Sequence, residues 1–201
     1  MKYSEYNFLY KSDLYRIHGR YSFSLLLKEL FFGESYKYIF WMRTAKFLKS
    51  NIFFKYTLFI FARYMMGRYM YKFGIGIPYM TKIGSGFYIG HFSGIFVNSN
   101  TIIGKNCNIS QGVTLGKANR GKNKGSPIIG DNVYIGPGVK IIGSIRVGNN
   151  VSIGANSVVT KDIEDNSVVV GVPAKVISNQ GSVGYINRTD YELLNQKDTN
   201  E

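Results

Sequence analysis

The chain has 201 residues, with 25 Lys and Arg against 12 Asp and Glu, for a formal net charge of +13. Hydrophobic residues make up 45% of it, enough for a core and too much for a disordered basic tail. One cysteine, Cys107, excludes an intramolecular disulfide framework and a cysteine zinc cluster, and two histidines, His18 and His91, exclude a three-histidine metal site. No metal is expected.

Residues 1–73 carry most of the aromatic side chains and 13 basic residues against four acids. The start reads MKYSEYNFLY and lacks the apolar core of a signal peptide. Helices are predicted from apolar stripes. Leu25, Leu26, Leu27, Leu30 and Phe31 form the first, and Ile39, Phe40, Met42, Ala45, Phe47 and Leu48 the second. A third covers 52–70, with breaks at Gly33 and at 49–51. Lys55 and Arg63 bound an uncharged run of seven residues, far short of the roughly 20 needed to span a bilayer. A cytoplasmic chain is therefore expected. Arg43, Lys46, Lys49, Lys55, Arg63 and Arg68 interleave with Phe, Tyr and Trp. That mixture suits either peripheral contact with an anionic membrane surface or a packed helical cap with a basic outside.

From Gly74 the composition shifts to glycine and a period of six begins. Ile77, Ile83, Ile89 and Ile95 are followed, after a two-residue slip, by Val97, Ile103, Ile109 and Leu115. After a longer interruption come Ile129, Ile135, Ile141, Val147, Ile153 and Val159. A period of six fits a solenoid in which positions one and five of each hexapeptide point inward and stack from coil to coil. Position two is often glycine, as expected of a tight backbone turn. Position five is small or apolar, at Phe87, Ser93, Cys107, Val113, Val133 and Val151 among others. Cys107 is then an inert core thiol. The organisation expected is a helical region over 1–73, a β-helix over 74–177 and a tail over 178–201.

The stretches IGSGFYIGHFSGIFVN, IGKNCNISQGVTLG, PIIGDNVYIGPGVKIIG, IGANSVVTKD and GVPAKVI resemble the hexapeptide-repeat acyltransferases. They are most similar to serine O-acetyltransferases and the related capsule or lipopolysaccharide O-acetyltransferases. The resemblance implies a left-handed parallel β-helix, so the fold class expected is mainly β with α. It also implies a homotrimer that binds acetyl-CoA between neighbouring subunits.

His91 falls in GHFSG, where that family has its catalytic histidine. A neutral imidazole can take the proton of an attacking hydroxyl near neutral pH, which is the role the resemblance implies. Tyr88 and Phe92 flank it in sequence and could stack on an acceptor. Asp13, in SDLYR, matches an acceptor-binding segment of serine acetyltransferases; it could bond an acceptor hydroxyl or His91, or cap a helix with Ser12. Gln111 is 20 residues after His91. One coil plus the slip would put it on the same edge, roughly 5 Å away by strand spacing, touching ligand or standing in a polar ladder. The loop 117–127 carries Lys117, Arg120, Lys122 and Lys124 and suits a phosphate-rich coenzyme. The backbone N–H groups of Gly116 or Lys117 are oxyanion candidates. Gly136, Lys140, Ala155, Lys161, Pro173 and Lys175 match family regions lining the coenzyme groove.

The charged groups with which the family holds serine match Gly76, Gly90, Gly125 and Ser126 here. The expected acceptor is therefore a neutral hydroxyl, that of a surface-polysaccharide sugar or its lipid-linked precursor. Serine O-acetylation is the alternative within the enzyme class. A non-catalytic β-helix scaffold binding anionic membrane is the alternative outside it. No nucleic-acid partner is expected.

Overall fold

The computed structural model describes residues 1–50 and 56–194. The start of the third predicted stripe, at 52–55 and including Lys55, lies outside the described residues. Four helices come first: α1, Tyr3–His18; α2, Phe23–Phe31; α3, Ser35–Lys49; and α4, Leu58–Phe73. Ser22 caps α2 by accepting the Leu25 N–H at 3.2 Å. Gly74 ends α4 in the left-handed region, φ 61°. Helix α1 has no apolar stripe to announce it, because Ser12, Asp13 and Arg16 are among its buried residues. No described helix is long and apolar enough to cross a membrane.

Short strands then wind into a three-sided parallel coil. The first sheet holds Ile75–Gly76, Ile95–Val97, Thr114–Gly116, Lys140–Ile142 and Val158–Val159. The second holds Lys82–Ile83, Ile102–Ile103, Ile128–Ile129 and Arg146–Val147. The third holds Tyr88–Ile89, Asn108–Ile109, Tyr134–Ile135, Ser152–Ile153 and Val168–Val170, closed by an antiparallel Lys175–Ser178. Ile83, Ile103, Ile129 and Val147 stack inside from position one, and Phe87, Cys107, Val133 and Val151 from position five, all buried.

The glycines at position two have a different cause from the one expected. Gly84 and Gly130 do not have positive φ. A Cβ on Gly84 would stand 2.7 Å from the backbone of Gly104, and one on Gly130 2.6 Å from the carbonyl oxygen of Gly148. Glycine is required by the close approach of successive coils. The left-handed turns fall two residues later, on Gly86, Gly112 and Gly138 and on Asn106, Asn132, Asn150 and Asn166, the asparagines with φ from 55° to 60°. The asparagine side chains form a ladder with steps of 2.9, 3.0 and 3.1 Å. Asparagine tolerates this conformation, and here each amide also bonds its neighbour one coil along.

The register corrects the place of the slip. Ile75 pairs with Ile95 and Tyr88 with Asn108, steps of 20, whereas Phe96 pairs with Thr114, a step of 18. The two extra residues therefore lie in the corner 90–94, not after Ile95. Ile95 takes an inward position five, and Ser93, expected inside, is exposed with φ 91°. The loop 117–127 adds eight more, since Ile102 pairs with Ile128. It closes on itself through Ala118 and Gly125, which exchange N–H···O bonds of 2.9 and 3.0 Å. Beyond Ser178 the chain returns over the third sheet. There Tyr185 stacks on Tyr134 at 4.4 Å, and the Tyr191 hydroxyl donates to Asn106 at 2.6 Å.

Candidate active site

A buried polar network joins the helices to the first coil. Arg43 Nε donates to Asp13 Oδ2 at 2.9 Å, and its other nitrogens reach the carbonyl oxygens of Ile83 and Gly84 at 2.7 and 2.6 Å. Asp13 Oδ1 accepts the Phe87 N–H at 2.8 Å. Arg16 donates to the Gly86 carbonyl and to Asn108 Oδ1, at 3.0 and 2.8 Å. Asp13 is fully buried; burial pushes its carboxyl up, against the pull of Arg43. It therefore cannot reach an acceptor or His91, and the expected substrate-binding role is corrected to that of a docking residue. Arg43 is likewise buried and Lys46 donates to the Thr81 carbonyl, so neither is a free surface cation.

His91 is exposed in the five-residue corner between the third and first sheets. The corner is held from both sides. The Gly90 N–H donates to the Ile109 carbonyl at 3.2 Å, and the Ile95 N–H to the Gly74 carbonyl at 3.1 Å. Phe92 turns back onto Phe73 of α4, ring centroids 5.1 Å apart, and packs on the core. Its expected acceptor contact is corrected to that of an anchor. The Tyr88 ring lies beside Gly90, 3.5 Å from where a Cβ there would stand.

Gln111 is not the coil neighbour of His91. The Gly112 N–H donates to the Ser93 carbonyl, and the Gly138 N–H to that of Gln111, each at 2.9 Å. Gln111 thus stacks between Ser93 and Pro137, while His91 stands in the extra turn beyond. The Gln111 Oε1 is buried without a hydrogen-bond partner. It remains on the edge that carries His91, as do Gly136, Ala155 and Pro173, the last in a corner with a cis Val172–Pro173 bond. Gly136 is buried, and Ala155 and Pro173 are exposed.

Gly116 and Lys117 stand at the opposite border of the first sheet, where the loop begins, and Lys161 is exposed at a later corner of that border. A shallow hollow of about 260 Å³ lies on this sheet, lined by Phe96, Asn98, Thr114, Gly116 and Lys117 among others. Lys140 does not extend a free ammonium. It donates to the Gly112 carbonyl and to Thr114 Oγ1, bracing the corner next to Gln111. That role depends on a 26-residue register step, which position in the hexapeptide alone does not reveal. Lys175 is exposed on the closing strand. Cys107 is buried and its thiol is pushed up to about 12, consistent with an inert core position. Among the described residues no cluster of His, Cys, Asp and Glu could hold a metal.

Residues 126–161 match the model of the bacterial transferase hexapeptide family (six repeats). A serine acetyltransferase of Staphylococcus aureus is 43% identical over 108 residues, 54% of this chain and 51% of that protein. The crystal structure of a serine acetyltransferase from Brucella abortus in complex with coenzyme A superimposes with a TM-score of 0.73. It is 30% identical and covers 89% of this chain and 70% of that one. A serine acetyltransferase of Neisseria gonorrhoeae in complex with serine gives 0.70, at 30% identity, covering 88% and 70%. The chain spans about half the length of the curated relatives it matches, from 44% to 61%. The coil is a left-handed parallel β-helix preceded by a helical region. These likenesses overturn the expected surface-polysaccharide acceptor, since each relative named is a serine acetyltransferase. The missing charges at Gly76, Gly90, Gly125 and Ser126 remove particular contacts; they do not specify a sugar.

Proposed function

We propose that this chain, which belongs to the hexapeptide-repeat acyltransferases, transfers an acetyl group from acetyl-CoA to the hydroxyl of serine. The observation that carries the reading is an exposed His91, on a corner braced by α4, in a chain of which 108 residues align at 43% identity with a serine acetyltransferase. His91 takes the hydroxyl proton as the serine oxygen attacks the thioester carbonyl. The C–O bond forms, the C–S bond breaks, and the imidazolium returns its proton to the departing thiolate. The donor suits the exposed Lys117, Lys161 and Lys175 and the cationic loop, which offer charge to phosphates. Gln111 is half-buried on the His91 edge, where rotation of its side chain would turn the shielded, unpartnered Oε1 toward an amide N–H of the donor.

A homotrimer is part of the proposal. His91 and the Gly116 and Lys117 N–H groups border the same sheet on opposite sides. Five extended steps, from Gly112 to Lys117, span ~16 Å. One chain therefore cannot aim the base and the oxyanion donors at a single carbonyl; the edge of one copy against the far border of the next can. The test combines purified protein, acetyl-CoA and serine, with thiol release and O-acetylserine followed together. No serine-dependent thiol release would refute the acceptor, and an active monomer in light scattering would refute the trimer.

A further inference from the structure

Helix α4 is built with two faces, and only one of them is used by the fold. Ala62, Met66 and Phe73 are buried. On the opposite side Ile60, Tyr64 and Tyr71 are exposed by 62%, 64% and 84%, a continuous stripe at helical spacing. Gly67 lies in the same stripe, and a Cβ there would meet nothing within 4 Å. Arg68 and Lys72, both exposed, flank the stripe on one side; on the other, Arg63 is held against the fold, donating to Met66 Sδ at 3.6 Å and lying over the Tyr79 ring. The helix sequence, LFIFARYMMGRYMYKF, contains no acid. Among the described residues none of the three cations is in an ion pair.

We propose that this outward face of α4 docks the protein on an anionic lipid surface. Tyrosine suits the boundary between headgroups and acyl chains, with an apolar ring and a hydroxyl that stays hydrated. Arginine and lysine beside it meet lipid phosphates. A second copy of the chain is a poorer occupant. A two-fold contact across this stripe would set Arg63, Arg68 and Lys72 against the same cations, with no acid on α4 to answer them. The attachment is peripheral, and it is independent of the acetyl-transfer proposal because the α4 residues that meet the His91 corner are Phe73 and its cap Gly74, whereas Tyr64 and Tyr71 are exposed.

The test is co-sedimentation of the full chain with phosphatidylcholine vesicles and with vesicles containing phosphatidylglycerol. Binding is expected to the anionic vesicles alone and to fall with salt. Each of Arg68→Gln and Lys72→Gln should weaken it about fivefold. The double variant Tyr64→Ser, Tyr71→Ser should weaken it further, with acetyl transfer in solution unchanged. Absence of binding to anionic vesicles overturns the proposal. So does undiminished binding by the α4 variants, which would place the contact elsewhere on a basic protein. A smaller assembly in light scattering for the tyrosine variant would also overturn it, by assigning the stripe to a second copy.

Discussion

Replacing Asp13 by alanine separates a docking role from a catalytic one. The substitution leaves Arg43 buried, with the carbonyl oxygens of Ile83 and Gly84 as its remaining partners, and orphans the Phe87 N–H. Removing one partner of a buried ion pair costs roughly 3–5 kcal/mol. The two carbonyl bonds still solvate the guanidinium, so the lower end of that range applies, about 3 kcal/mol. For a chain of this length each kcal/mol lowers Tm by about 2–4 °C, which gives a fall of roughly 6–12 °C. Asp13→Asn should fall less, since its side-chain oxygen can still accept from Phe87. Thermal unfolding by circular dichroism measures this, beside turnover well below the transition. An unchanged Tm with transfer abolished would refute the docking account and return Asp13 to the acceptor site.

His91→Ala should lower acetyl transfer by about 10²–10⁴-fold without lowering Tm, because an exposed corner residue leaves no cavity; near-normal turnover would remove it as the base. Gly84→Ala should destabilise by roughly 1–3 kcal/mol in chemical denaturation, since its Cβ meets backbone that cannot move aside. An unaffected midpoint would show that adjacent coils tolerate separation there. Cys107, with its thiol pushed up to about 12, should resist iodoacetamide at pH 8 in the native protein and react once unfolded. Rapid native alkylation would place that coil among the easily opened parts of the fold.

The coil was legible because its signal is local and repeated. Inward isoleucine and valine recur at a fixed interval, and each buries against its counterpart one turn along. The slip was legible as well, but its place was not. Ile95 fits position one and position five equally well as an apolar residue, and only hydrogen bonding distinguishes them. That ambiguity moved Ser93 inside and put Gln111 beneath His91. Helix α1 escaped for the opposite reason. Its interface with the coil is made by Ser12, Asp13 and Arg16, so burial there carries no hydrophobic period. The same feature made Asp13 look available: an acid in a sequence does not show which arginine lies across from it. The asparagine ladder was hidden because its residues occupy positions facing out of the core, where composition is otherwise free.

The two insertions into the six-residue phase border the same sheet. Residues 90–94 form one side and 117–127 the other, and the first sheet between them carries the exposed Phe96 and Ile142. A regular corner has little slack: a Cβ on Gly94 would stand 3.3 Å from Gly112, one on Gly112 3.3 Å from Gly138, and one on Gly138 would collide with the Asn156 side chain. A histidine there would stand in the column of glycines and turn residues and have little freedom of its own. Two additional residues lift His91 out of the column while Ser93 and Gly94 rejoin it. Lifting a corner exposes it to fluctuation, and here the helical region supplies the restraint. Gly74, the cap of α4, approaches Ser93 and Gly94 so closely that a Cβ on it would stand 3.2 Å from the Gly94 nitrogen. Phe73 meets Phe92 from the same helix end. Asp13 and Arg43 in turn fix the helices to Ile83, Gly84 and Phe87, a few residues before the corner. The N-terminal region therefore acts on the chemistry through position. It holds His91, the base of the proposed transfer, which the coil had to release from its own packing in order to expose.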